Sequence, residues 1–319
     1  MRRLLMDLLV QQLLNGLVKG SIYALIALGY TMVYGIVELI NFAHGDIFML
    51  GGFIALAVLG FFGVAISQAL NPAGLVQGGI LPTIFVLLAT ILLAMLITGL
   101  IGVVVERVAY RPLRNAPKLT ALISAIGMSF ILQNVGQIWH GPAPVPYPEV
   151  FANNSFTLFG RVTIGLKDIF VVLICITLMA ILQFFIQRTK LGKAMRATAQ
   201  DYDTSKLMGI NVNLTITITF FIGAMLAGAA GLIYGMQVHS MQFVQGYQAG
   251  LKAFTAAVLG GIGNIPGAML GGFLIGLIEA ISDQYISTAW TPVVVFGVLI
   301  LILTLRPSGL LGQQVPEKA

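Results

Sequence analysis

Pro82-Thr83-Ile84-Phe85-Val86-Leu87-Leu88-Ala89-Thr90-Ile91-Leu92-Leu93-Ala94-Met95-Leu96-Ile97-Thr98-Gly99-Leu100-Ile101-Gly102-Val103-Val104-Val105 contains no charged residue, and Glu106-Arg107 follows at once. Coiled as a helix at ~1.5 Å per residue, this run is about 36 Å long, enough to cross a hydrocarbon layer of ~30 Å. Working outward, comparable apolar segments recur at 9–37, 45–63, 119–138, 169–187, 213–238, 251–282 and 290–305. Backbone groups in lipid must be satisfied within their own segment, and the alternation of a membrane barrel is absent, so each segment is read as helix. The sequence predicts an all-α, polytopic helical membrane protein of about eight transmembrane segments.

Composition agrees. The chain has 319 residues, of which 58% are apolar and 9% charged, and its mean hydropathy is +0.97. Soluble domains carry nearer ~25% charge, which excludes a soluble enzyme, a disordered scaffold or a nucleic-acid reader. The single cysteine, Cys175, lies in an apolar run and reads as a small core residue. The start of the chain faintly resembles a signal peptide. Hydrophobicity continues through Ser21 to Val37 without a small-residue cleavage site, so we read a retained first span.

Basic residues orient the spans. Arg2 and Arg3 precede the first; Arg107, Arg111, Arg114 and Lys118 follow the third; Arg188, Lys190, Lys193, Arg196 and Lys206 follow the fifth; Arg306 and Lys318 close the chain. These thirteen of the 17 Lys and Arg favour the cytoplasm, which predicts that both termini are cytoplasmic. A conflict of parity results, because three apolar segments separate Arg3 from Arg107. Segment 41–63 is the suspect, since it opens on Asn41-Phe42-Ala43-His44-Gly45-Asp46 and continues through Gly51-Gly52. Either it is a broken or re-entrant helix, or the first span lies at the interface. A second interruption, Gly260-Gly261-Ile262-Gly263-Asn264-Ile265-Pro266-Gly267, predicts two half-helices within 251–282. Paired interruptions point to a transport path, although close helix packing accounts for them as well. Ala224, Gly228 and Gly231 fit packing better.

Enzyme chemistry finds little support. His44, His140 and His239 lack zinc-ligand spacing, no metal site is expected, and Gly16-Leu17-Val18-Lys19-Gly20-Ser21 is not a P-loop. The ionisable groups within or beside spans are Lys19, Glu38, His44, Asp46, Lys252, Glu279 and Asp283. Such groups face a cavity, a partner helix or the interface. Glu38, His44 and Asp46 either line a polar passage or cap the segment that follows; Asp46 is placed to accept backbone N–H bonds at a helix start. So few intramembrane charges argue against an ion-coupled carrier.

The loop 188–212 is the most distinctive polar feature. Leu191, Met195, Ala199 and Tyr202 recur on one helical face, Asp201 or Asp203 is placed to cap a second short turn, and Gly209 is a natural stop. A helix-turn-helix of this kind either lies on anionic lipid or docks in a groove of a soluble partner.

These residues are familiar in combination. Asn15-Gly16, Gly20-Ser21-Ile22-Tyr23-Ala24-Leu25, Ala27-Leu28-Gly29 and Ile40-Asn41-Phe42-Ala43-His44-Gly45-Asp46 closely resemble the start of branched-chain amino acid ABC-transporter permeases of the LivH type. The resemblance continues through Glu106-Arg107-Val108-Ala109-Tyr110-Arg111-Pro112-Leu113-Arg114, Gly192-Lys193-Ala194-Met195-Arg196-Ala197 and Leu207-Met208-Gly209-Ile210-Asn211. It ends with Gly260 to Ala268 and Arg306-Pro307-Ser308-Gly309-Leu310-Leu311-Gly312, so it covers nearly the whole chain in family order.

The resemblance implies a single permease domain, 1–319, in a bacterial inner membrane, with a coupling loop at 188–212 and a periplasmic loop at 139–167. It implies a homologous LivM-like permease, two LivG/LivF-like ATPase subunits that bind the ATP, and a periplasmic binding protein that delivers leucine, isoleucine or valine. This chain would bind no cofactor of its own and no nucleic acid. Arg196, Ala199, Asp201, Lys206 and Gly209 would contact the ATPases. The sequence departs from the broader importer pattern, since Ala197-Thr198-Ala199 has no Glu before it. Asn41, His44, Asp46, Gly263 and Asn264 would border the path. The rival readings are a permease of the same family for urea, amides or other amino acids, and an ion-coupled secondary transporter acting alone. A hairpin at 156–164 around Phe159-Gly160 is expected in the outer loop.

Overall fold

Apolar runs become helices wherever no breaker intervenes, and the breaks fall at glycine, proline or a rise in polarity. The computed structural model describes residues 2–69, 80–114, 116–151, 155–158 and 162–312. In chain order the helices are α1 (Arg2–Val37), α2 (His44–Ala69), α3 (Ile80–Val105), α4 (Lys118–His140), α5 (Leu166–Arg188), α6 (Lys190–Gln200), α7 (Tyr202–Leu207), α8 (Val212–Val238), α9 (Gln245–Gly260), α10 (Ile265–Tyr285) and α11 (Thr291–Leu305). Seven stretches among the described residues are long and apolar enough to cross a membrane: 6–37, 44–62, 82–113, 118–140, 166–188, 212–238 and 265–285. α11 is a shorter apolar helix. The protein is a polytopic helical membrane protein.

Four short strands accompany the helices among the described residues. β1 (Val145–Pro146) pairs antiparallel with β4 (Ser240–Met241). β2 (Ser155–Leu158) pairs with β3 (Val162–Gly165), Ser155 opposite Gly165. The expected hairpin is therefore present as paired strands, and its turn at Phe159-Gly160 lies outside the described residues.

The chain forms two compact units interleaved in sequence: 1–38, 155–215 and 251–319 in the first, 39–154 and 216–250 in the second. In the first, α1 packs most extensively on α10 and runs antiparallel to it, with Gly20 against Phe273 and Gly35 against Gly263. α5 runs parallel to α1. Gln11 of α1 bonds Thr163, just ahead of α5, and Ile186 near the end of α5 lines a cavity with Thr31 and Ile36. After α11 the chain returns to the end of α9, where the amides of Leu310 and Leu311 donate to the carbonyls of Leu259 (2.9 Å) and Gly260 (3.0 Å).

That geometry distinguishes the two ends of the first unit. The start of α1 sits beside β3, whereas its C-terminal end, the 188–212 loop and residues 308–312 gather at the other end of the unit. The two ends of the described chain therefore lie at opposite ends of α1.

In the second unit α2 packs on α3 and α4, and Gly51 and Gly52 meet Gly228 and Gly231 of α8 so closely that methyl groups there would strike backbone. Phe48, Phe53, Leu87, Tyr110 and Phe220 fill the interior. The expected broken helix takes a different form. The break is residues 38–43, ahead of the helix, with Glu38 at φ 54°, and α2 runs unbroken through Gly51-Gly52. The second interruption does separate two helices, but α10 is long enough to be a span alone. Each unit also holds one copy of the same pentapeptide, Met49-Leu50-Gly51-Gly52-Phe53 in α2 and Met269-Leu270-Gly271-Gly272-Phe273 in α10. Gly272 meets Ala24 of α1 as Gly52 meets Gly231 of α8. Outward faces of α3, α4 and α5, including Phe85, Phe130, Ile138, Leu173 and Phe184, expose large apolar side chains of the kind a lipid environment accepts.

Candidate functional site

Thr189 stops α5 and starts α6. Its hydroxyl oxygen accepts from the Gly192 amide (3.0 Å) and donates to the Phe185 carbonyl (2.6 Å), which folds α6 back on the end of α5. The turn is tight enough that any Cβ on residue 192 would collide with the carbonyls of Phe185 and Ile186. The Arg196 guanidinium donates to the Ile186 carbonyl, a second tie between α6 and α5. Asp201 closes α6 and caps α7, its carboxylate accepting from the amides of Asp203 (3.0 Å) and Thr204 (2.9 Å). Gly209 ends the element at φ 80°, in the left-handed region that favours glycine.

The expected helix-turn-helix is therefore formed, with a different inward face. Gly192, Met195 and Thr198 are buried, whereas Leu191 and Ala199 are exposed. Thr198 buries its hydroxyl by donating to the Ala194 carbonyl (2.9 Å), a local bond that hydropathy alone does not reveal. Leu207 and Met208, 86% and 78% exposed, project from the end of α7 beside Lys206, which lies over the Tyr202 ring at 4.1 Å. A rigid two-helix element with an apolar tip and a cationic flank is suited to a groove on a partner protein.

Asn41, His44 and Asp46 come together at the start of α2, and all three are buried. The Tyr110 hydroxyl donates to Asn41 Oδ1 (3.0 Å). Tyr110 ends a π-helical turn, Glu106–Tyr110, that continues α3. This turn is fixed by Glu106, which is fully buried, pairs with Arg114 and accepts from Thr217 (3.0 Å). The Glu106 to Arg114 stretch singled out in the sequence thus positions Asn41. Asp46 does not cap α2. Its Oδ2 accepts from the Ser129 hydroxyl, and its Oδ1 has no hydrogen-bond partner among the described residues. Tyr110 was singled out only as part of that stretch, and Ser129 not at all; a buried carboxylate signals the need for a donor without saying which helix supplies it.

Gly263 and Asn264 belong to the first unit. Asn264 caps α10, its Oδ1 accepting from the Gly267 amide (3.1 Å), while its Nδ2 donates to the Leu311 carbonyl (2.6 Å). Gly263 lines a cavity of about 80 Å³ with Thr31, Gly35, Met195, Arg196 and Ala199. The structure thus gathers Gly263 with Arg196 and Ala199, two residues expected to contact the ATPases, and the first unit joins the α9–α10 break to the α5–α6 turn. Among the described residues no group of three His, Cys, Asp or Glu is placed to hold a metal.

Comparison with known proteins gives these groups a context. Residues 12–303 match the family described as branched-chain amino acid transport system / permease component. The chain is 44% identical to the high-affinity branched-chain amino acid transport system permease protein BraD of Pseudomonas aeruginosa, over 97% of each chain. It is 42% identical to the permease protein LivH of Escherichia coli K12, again over 97% of each. A probable branched-chain amino acid transport permease of Methanocaldococcus jannaschii is 30% identical over 97% of this chain and 95% of its own. No solved structure matches. The helical membrane fold and these full-length similarities place the chain in the permease-component family of branched-chain amino acid transport systems.

Proposed function

We propose that this chain is one of two permeases forming the membrane path of an ATP-driven importer for leucine, isoleucine and valine in the bacterial inner membrane. A LivM-like permease is its companion, two LivG/LivF-like ATPases supply the energy, and a periplasmic binding protein delivers the substrate. The observation that carries this reading is the similarity to BraD and LivH along the whole chain.

The geometry supports a division of labour. Loop 188–212, with five basic residues, and the 308–312 tail face the cytoplasm, while the start of α1 and the 155–165 hairpin face the periplasm. ATPase closure pushes on Leu207, Met208 and Lys206. The push passes through Asp201 into α6, and through Thr189 and Arg196 into α5. Ala199 and Gly263 border the cavity that α6 shares with α1 and α10, so the same motion reaches those spans. Asn41, His44 and Asp46 supply polar groups where α2 begins. A weakly binding, mainly apolar route suits side chains of this class, with high affinity left to the binding protein.

Reconstitution with the companion permease, ATPases and binding protein tests the reading. Leucine uptake should require ATP and the binding protein. Uptake of leucine by the chain alone, driven by an ion gradient, would sink it; a binding protein selective for urea would correct the substrate.

A further inference from the structure

A polar seam runs along one side of α1. Gln12, Asn15, Lys19 and Tyr23 follow at steps of three, four and four residues, which sets them on one helical face over about 16 Å. Each meets a polar group of the same unit. Gln12 Nε2 donates to Gln284 Oε1 (2.9 Å), and Asn15 Nδ2 to Gln12 Oε1 (3.4 Å). Lys19 Nζ is 2.6 Å from Asp283 Oδ2 and 3.6 Å from Glu279 Oε1. The Tyr23 hydroxyl donates to Glu279 Oε2 (2.8 Å). From α9, Lys252 Nζ reaches Glu279 Oε1 at 3.1 Å, and Thr291 at the start of α11 donates to Asp283 Oδ1 at 2.6 Å. Two ammonium groups and two carboxylates are thus interlocked by four helices.

Charges within a span are costly unless they face protein or water. Mutual pairing removes only part of the cost here, because the Lys19 side chain is 35% exposed, Lys252 24% and Asp283 23%. Lys19 is far along α1 from Met6 and farther still from Val37, at about 20 Å and 27 Å by helical rise. An ammonium group a third exposed at that depth does not turn its open side to lipid tails. It faces water or another protein surface.

Resting on the importer reading above, we propose that this cluster is the contact through which the first unit holds the charged end of a zwitterionic amino acid. Lys19 and Lys252 stand opposite the substrate carboxylate, and Glu279 and Asp283 opposite its ammonium group. Gln12, Asn15 and Gln284 form the approach from the start of α1. The charges match: one group of each sign inserted into a neutral network exchanges an internal ion pair for two substrate pairs and leaves no charge bare. The network's own pairing keeps the hold weak, as a path that must release its cargo requires. An uncharged amide has no such exchange to make.

The test uses the whole transporter in proteoliposomes. In a Cys175→Ala background, Lys19→Cys and, separately, Gln12→Cys on the same face are treated with the membrane-impermeant reagent sulfonatoethyl methanethiosulfonate. Both are expected to react from water; Lys19→Cys should import little leucine even before treatment, and modification of Gln12→Cys should lower leucine uptake roughly tenfold. Glu279→Gln should lower leucine imported per ATP about tenfold while binding-protein-stimulated hydrolysis continues. If hydrolysis and assembly fall together with uptake, the network is only structural and the proposal is overturned. Should Lys19→Cys not assemble, Gln12→Cys decides. A transporter that imports leucine while the cysteines stay unmodified overturns this proposal alone. One whose unaltered form imports no leucine overturns the importer reading and this proposal with it.

Discussion

The hydroxyl of Ser129 on α4 donates to Oδ2 of Asp46 on α2, and both residues are buried. Gln133 donates to the Ser129 oxygen at 3.4 Å, so the serine relays one donor to the carboxylate. Asp46 Oδ1 has no hydrogen-bond partner among the described residues, which makes the serine bond costly to remove. Ser129→Ala should destabilise the protein by about 1–3 kcal/mol, the cost of leaving a buried acceptor without its donor. In an Asp46→Ala background the same substitution should cost less than about 0.5 kcal/mol, because no carboxylate remains to be stranded. Thermal unfolding of the unaltered protein and the three variants measures both quantities. Equal costs in the two backgrounds would show that the serine acts on something else.

Gly192 makes a sharper demand. Its position against the Phe185 and Ile186 carbonyls leaves no room for a methyl group, and α6 meets α5 at this point. Gly192→Ala should lift α6 from α5 and lower ATP-driven uptake by roughly tenfold or more, with the spans still inserted. Gln200→Ala, on the exposed side of α6, serves as the control and should remain within about twofold of the unaltered protein. Uptake at matched membrane abundance reads the difference. Retained uptake in Gly192→Ala would mean that the α5–α6 turn does not carry the motion.

How much of this was legible beforehand differs by element. Long apolar runs such as 82–105 announced their helices because length and polarity alone decide a span. The α6–α7 element was legible too, since Asp201 and Gly209 signal a cap and a stop through their own backbone chemistry. The inward face of α6 was not, because Thr198 is buried through a bond to its own helix and Leu191 is left outside. The direction of α1 was also hidden. It is fixed by the bonds between Gln11 and Thr163 at one end and by the cavity shared with Ile186 at the other, between residues far apart in sequence. The repeat of Met-Leu-Gly-Gly-Phe stood in plain sequence, but its meaning required knowing which helix each glycine pair receives.

Capping at Asp201 yields a graded prediction. Asp201→Ala removes the acceptor for two amides and should destabilise α7 by about 1 kcal/mol, while Asp201→Ser should recover most of it. Gly209→Ala forces a side chain into φ 80° and should cost about 1–2 kcal/mol at the other end of the same short helix. Hydrogen exchange of the amides at 203–208 reports each loss. Importer activity should fall in the same order, since a frayed α7 presents Leu207 and Met208 poorly. Unchanged exchange in Asp201→Ala would remove the capping role.

Asn264 divides its side chain between two tasks, and two substitutions separate them. Its Oδ1 caps α10 through the Gly267 amide, whereas its Nδ2 holds the Leu311 carbonyl. Asn264→Asp keeps an acceptor for the cap and puts a negative charge at a helix N-terminus, which is favourable. It loses the donor, however, and sets a carboxylate against the Leu311 carbonyl. Asn264→Ala loses both functions. The amides of Leu310 and Leu311, which donate to Leu259 and Gly260, should therefore exchange faster in both variants. The Gly267 amide should exchange faster only in Asn264→Ala. If Leu311 kept its protection in Asn264→Asp, the tail would be held by its backbone bonds to α9 alone, and the asparagine would be a helix cap and nothing more.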